Sequence, residues 1–206
     1  VRAGFAFEHS ATFGQAVAKG MTVAAAEEDI QKKRAKMLFN TTSLRSLDYT
    51  RGSVGERMTA LGHDPRFLYP DNDEGRAQII ARLQNRIDDM RGRMPQAFTQ
   101  LVRGNVEVKR LPLAEEPGAA GAYGGPGTID GSVPGRLWIN LGSVARWPRY
   151  SLPDLAYHES IPGHAWQGEY SFSLPLVRSL LSFNAYSEGW ALYAEQLADE
   201  LGVYAD

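Results

Sequence analysis

The residues richest in chemistry lie together near the end of the chain, in Tyr157-His158-Glu159-Ser160-Ile161-Pro162-Gly163-His164. A histidine beside a glutamate, with a second histidine shortly after, is the grammar of a zinc hydrolase. Two neutral imidazoles hold the ion, and the adjacent carboxylate takes a proton from the attacking water. Here the two histidines are six positions apart, not the four of His-Glu-x-x-His. On a regular helix that step leaves the second side chain about 120° off the first one's face and roughly 9 Å along the axis. Both imidazoles could not then reach one ion at about 2.0–2.1 Å.

The helix must therefore break between them, and the sequence supplies the means. Pro162 cannot donate to the His158 carbonyl, and its ring clashes there. It also pushes Ile161 out of helical geometry, and Gly163 can take the backbone angles a detour needs. A third ligand is available in Tyr186-Ser187-Glu188-Gly189-Trp190-Ala191-Leu192-Tyr193-Ala194-Glu195. Glu188 follows His164 by 24 residues, enough for a connection and a return across the first helix. Glu195 lies seven residues further on and shares a helix face with Glu188. Glu188 is read as the third ligand, and Glu195 as the carboxylate that orients a ligand imidazole. His9 and His63 carry no such company and are read as ordinary structural residues.

These groups need elements to hold them. Ser151-Leu152-Pro153-Asp154 has the form of a capping box, so a helix is expected over about 152–167, with a second over about 175–201. Upstream, Ile79, Ile80, Leu83, Ile87, Met90, Met94 and Phe98 recur at three- and four-residue steps. That is one buried stripe on a helix over about 74–101, with Asp73 as N-cap and a kink or division at Pro95. A charged helix is expected over about 22–38, a connection over 40–53, and a short helix near 54–61 before the turn at Gly62-His63-Asp64-Pro65. Val106–Leu111 and Arg136–Leu141 alternate like strands. The Gly, Ala and Pro-rich residues 114–135 between them read as a long loop or an irregular hairpin. They are not a phosphate loop, because no Gly-Lys-Ser/Thr follows. Trp138, Trp147, Trp166 and Trp190 are read as core.

Composition narrows the classes. The chain has 206 residues, 43% hydrophobic and 22% charged, with a net charge of −2. No nucleic-acid partner is expected from that charge. The chain holds no cysteine, which excludes disulfides, thiolate catalysis and cysteine metal centres. No apolar run approaches the roughly 18 residues of a membrane helix.

At this point the residues resemble a known family, the bacterial domain of unknown function 885. The likeness rests on His158–His164 and on Glu188-Gly189-Trp190 through Glu195. It extends to Asp64-Pro65-Arg66-Phe67, Ala122-Tyr123, Asp130–Gly135 and Ile139-Asn140, covering roughly residues 50–206. The resemblance implies a mainly α protein with a small β element, a zincin-like helical architecture distantly similar to gluzincin peptidases. It implies zinc as cofactor, held by His158, His164 and Glu188, with Glu159 as general base for hydrolysis of a peptide substrate. Tyr123 is the candidate oxyanion and substrate group, and Asn140 a further substrate-binding residue. Arg136–Leu141 would be the edge strand that pairs with an extended peptide. Family members are longer, so the chain is read as a single catalytic-domain fragment, 1–206, whose remainder belongs to a longer polypeptide. Its parts are helical (1–101), strand and loop (102–150) and active-site helices (151–206). The other reading is a non-catalytic zinc-binding or helical interaction module. A di-iron carboxylate bundle would need paired Glu-x-x-His motifs, which the chain lacks.

Overall fold

The protein's structure is a computed structural model that describes residues 53–181 and 183–204. The expected helix over 22–38, most of the 40–53 connection and His9 lie outside the described residues. What is described is mainly helical, with one three-stranded sheet.

Helix α1 (Val54–Gly62) starts from a complete capping box between Ser53 and Glu56. A short 3-10 turn over Pro65–Phe67 follows, its first N–H bonds supplied by Asp64. Helix α2 (Asp73–Ala97) is the backbone of the core, burying Ile79, Leu83, Ile87, Met90 and Met94 along one stripe. Its N-cap is Asn72, whose side chain accepts from Gly75 N at 2.9 Å, and Asp73 is instead the first helical residue. Its C-terminus also falls short of the expected Leu101. Pro95 lacks the N–H that would continue the hydrogen-bond ladder, and the helix ends two residues later.

The sheet holds β1 (Val106–Arg110), β2 (Ala122–Gly125) and β3 (Gly135–Ile139) in the order β1-β3-β2. β3 runs parallel to β1 and antiparallel to β2. This corrects the expectation that Arg136–Leu141 is an edge strand: it is the central one, and Leu137 and Ile139 are wholly buried. The outer side of β1 is met by Gln84 of α2. The Gln84 amide donates to Val106 O and accepts from Val108 N, both at 3.0 Å, as a neighbouring strand would. β2 is the opposite edge.

Beyond a 3-10 turn at Val144–Arg146, helices α3 (Leu152–Glu159), α4 (His164–Ser171), α5 (Val177–Leu180) and α6 (Asn184–Glu200) complete the described chain. The two helices expected over 152–167 and 175–201 are thus each divided. The capping box at Ser151 does not form. Ser151 has helical backbone angles, and its hydroxyl donates to Pro148 O. α3 packs between α2 and α6, with Ala156 and Tyr157 fully buried. Gly202, at φ +76°, closes α6 in the left-handed region. No described helix is long and apolar enough to cross a membrane.

Candidate metal centre

α3 stops at Glu159, and α4 starts at His164. The corner between them contains the cis Ile161-Pro162 bond and Gly163. A Cβ on Gly163 would lie 1.8 Å from the His158 carbonyl oxygen, so the corner tolerates no side chain there. The break turns α4 back, and the two imidazoles meet with ring centroids 4.9 Å apart at 90°. Glu188, in the second turn of α6, reaches both. One carboxylate oxygen is 3.5 Å from His158 Nε2 and the other 3.7 Å from His164 Nε2.

His158, His164 and Glu188 thus offer one ligand atom each, all within 4.8 Å of one another. Tetrahedral bonds of about 2.0–2.1 Å place ligand atoms about 3.3–3.4 Å apart. The two carboxylate–imidazole separations, each to a different oxygen of Glu188, exceed that by a few tenths of an ångström, while the set with one atom per residue spreads to within 4.8 Å, so the three side chains draw together to hold an ion. Two imidazoles and one carboxylate also form the donor set of a catalytic zinc site that keeps one position open. The residues present therefore fit a zinc ion.

The surroundings prepare the ligands. Glu195, its side chain only 4% exposed, lies 2.8 Å from His158 Nδ1. Its carboxylate accepts the Nδ1 proton, which leaves Nε2 as a free lone pair facing Glu188. Ser187 Oγ sits 3.3 Å from His164 Nδ1, a hydrogen bond that steadies the second ring. Burial works against protonation of His158, but the hydrogen bond to Glu195 and the charges of Glu195, Glu159 and Glu188 outweigh it, and its pKa is raised. His164 has its pKa lowered, by burial first and by the nearby His158 second. Glu159 has its pKa raised, chiefly by burial, against the opposing pull of His158 and a hydrogen bond from Gly124 N–H.

Glu159, His158, His164 and Glu188 line a cleft of about 540 Å³, and β2 forms one of its sides. Tyr123, exposed on β2, also lines it. Asn140 does not. It is buried, its amide donating to Glu116 O and accepting from Gly142 N, and it holds the loop after β3 in place. The assignment of Asn140 to substrate binding is therefore corrected to a structural one. None of the four tryptophans lines the cleft either.

Ser187 and Gly124 had no role in the sequence reading. Ser187 is offset from Glu188 by a third of a turn and meets His164 only because α4 folds back. Gly124 belongs to a glycine cluster that carries no phosphate-loop signature. A Cβ there would lie 1.8 Å from the Glu159 carbonyl oxygen, so only glycine lets β2 approach α3 this closely.

A search of the curated proteins found no match. Among solved structures, the chain is similar to one described as "the putative lipoprotein from Colwellia psychrerythraea", at 37% identity and a TM-score of 0.74. The likeness covers 86% of this chain and 30% of that one, so the chain spans less than a third of its relative's length. The family model for bacterial proteins of unknown function (DUF885) matches residues 8–206, and the chain belongs to that family.

Proposed function

We propose that this cleft hydrolyses peptide bonds, with a zinc ion held by His158, His164 and Glu188 and with Glu159 as general base, in a zincin-like arrangement. One observation carries the reading. Three ligand atoms converge within 4.8 Å, and the adjacent Glu159 faces the same cleft. When bound, zinc supplies a Lewis acid that acidifies water and polarises a carbonyl.

The chain's own residues supply the rest. Glu195 keeps the Nδ1 proton on His158, fixing the ring's tautomer and direction. Glu159 accepts a proton from the attacking water and returns it to the leaving amine. Its raised pKa makes it a stronger base than an exposed glutamate, and the Gly124 N–H holds its carboxylate beside β2. The outer side of β2 offers an extended peptide the main-chain pairing first expected of β3. Tyr123 extends from that strand into the cleft and can donate its hydroxyl to the oxyanion of the tetrahedral intermediate.

The test is digestion of a mixed peptide library, with and without a chelator, by the parent protein and by Glu159→Gln. The proposal expects Glu159→Gln to retain zinc and lose hydrolysis by at least about 100-fold. Parent-level turnover by that variant would remove Glu159 from the mechanism. A protein that binds zinc but cleaves nothing would favour the non-catalytic module.

A further inference from the structure

We infer that Arg178 recognises a carboxylate of the peptide substrate, making this cleft selective for anionic peptides. The inference rests on the peptide-hydrolase reading and adds the substrate class.

Arg178 lies on α5 and lines the same cleft as the candidate metal ligands and Glu159. It is the only lysine or arginine among the described residues lining that cleft. The other charged side chains there are Glu159 and Glu188, and both are engaged. Glu159 accepts from Gly124 N–H, and Glu188 lies against the two imidazoles. The Arg178 guanidinium makes no hydrogen bond or ion pair with any described residue.

No described carboxylate pairs with Arg178, so its charge is open to a ligand entering the cleft. Phe172, Leu181 and Phe183 line the same space. Leu181, Phe183 and Arg178 are exposed, so it is a bound peptide covering them that would displace water and strengthen a charge-assisted bond between guanidinium and carboxylate. A guanidinium also pairs with a carboxylate through two parallel N–H bonds, which fixes orientation as well as affinity. Such a group has two sources in a peptide, the C-terminal α-carboxylate and an Asp or Glu side chain.

The experiment uses one cleavable sequence in three forms. These are a free C-terminus with neutral side chains, an amidated C-terminus with neutral side chains, and an amidated C-terminus with one aspartate. The parent protein is expected to show a KM about tenfold lower for a carboxylate-bearing form than for the neutral amide. Arg178→Ala should erase that preference through KM, bringing the acid-to-amide ratio of KM to about one, and Arg178→Lys should restore part of it. Whichever carboxylate form carries the preference identifies the source. Equal acid-to-amide ratios in the parent and Arg178→Ala would overturn the inference while leaving peptide hydrolysis intact. If the parent cleaves none of the three, the hydrolase reading fails on its own. Calorimetric binding of the same peptides to the zinc-loaded parent and Arg178→Ala then decides the charge preference: a loss of binding confined to the carboxylate forms supports it, and no difference overturns it.

Discussion

The cleft has two unlike walls. One is built from α3 and β2, backed by α2 and the sheet, where Ile79, Leu83, Ile87 and Leu137 are fully buried. The other is built from α5 and the start of α6, where Val177, Leu180, Phe183 and Tyr186 are 54%, 75%, 63% and 64% exposed. His158 and Glu159 stand on the buried wall, and the buried Glu195 holds His158 in place. Arg178 and Glu188 stand on the exposed one. On the proposed reading the base Glu159 and the ligand His158 need fixed positions, and the core supplies the rigidity. Arg178, the proposed substrate contact, sits where packing constrains it less, and Glu188, a proposed ligand, reaches the imidazoles from that less packed side.

Five predictions probe that contrast. The largest effect is expected from the core behind the buried wall. Ile87→Ala leaves a cavity in a fully buried position and should cost about 2–5 kcal/mol, read from chemical denaturation. Next comes the seam between β2 and α3. Gly124→Ala forces a Cβ toward the Glu159 carbonyl, so β2 must move away. A cost of about 1–3 kcal/mol is expected, lowering Tm by very roughly 2–12 °C, together with loss of the Glu159 alignment.

The two imidazoles should then differ. Glu195→Gln should weaken zinc affinity by about 10–100-fold, by titration against a competing chelator. Ser187→Ala removes a longer bond to a neutral hydroxyl and should cost clearly less. The pH dependence follows from the same pair. A protonated imidazole cannot bind metal, so affinity falls as pH drops through the raised pKa of His158. Glu195→Gln removes the largest of the contributions that raise it, leaving those of Glu159 and Glu188, so the midpoint of that fall should move to lower pH. The smallest effect belongs to the exposed wall: Leu180→Ala should change stability by no more than about 0.5 kcal/mol. A cost as large as that of Ile87→Ala would mean the two walls are not distinct.

Local signals made part of this molecule legible. The period of α2 shows in its apolar spacing, and the corner between α3 and α4 shows in Pro162-Gly163, because proline and glycine act on their immediate backbone. The resemblance in the terminal motifs and the membership of the family agree. What stayed hidden depends on partners distant in sequence. β2 is an Ala-Tyr-Gly-Gly segment with little strand propensity, and it exists because β3 pairs with it and α3 lies against it. The central place of β3 follows from sheet order, which alternation within one strand cannot report. The cap of α2 was displaced by one residue because Asn72 and Asp73 are both good caps, and geometry chose the first. Asn140 was misread because a buried amide holding a loop and an amide facing a ligand are the same letter.

The most direct test is metal analysis of the purified protein beside His158→Ala, His164→Ala and Glu188→Ala. One zinc per chain in the parent, with strong depletion in each variant that remains folded, is the predicted result. A parent free of zinc even after exposure to it, or variants that hold zinc as fully as the parent, would contradict the assignment of these three groups to one ion.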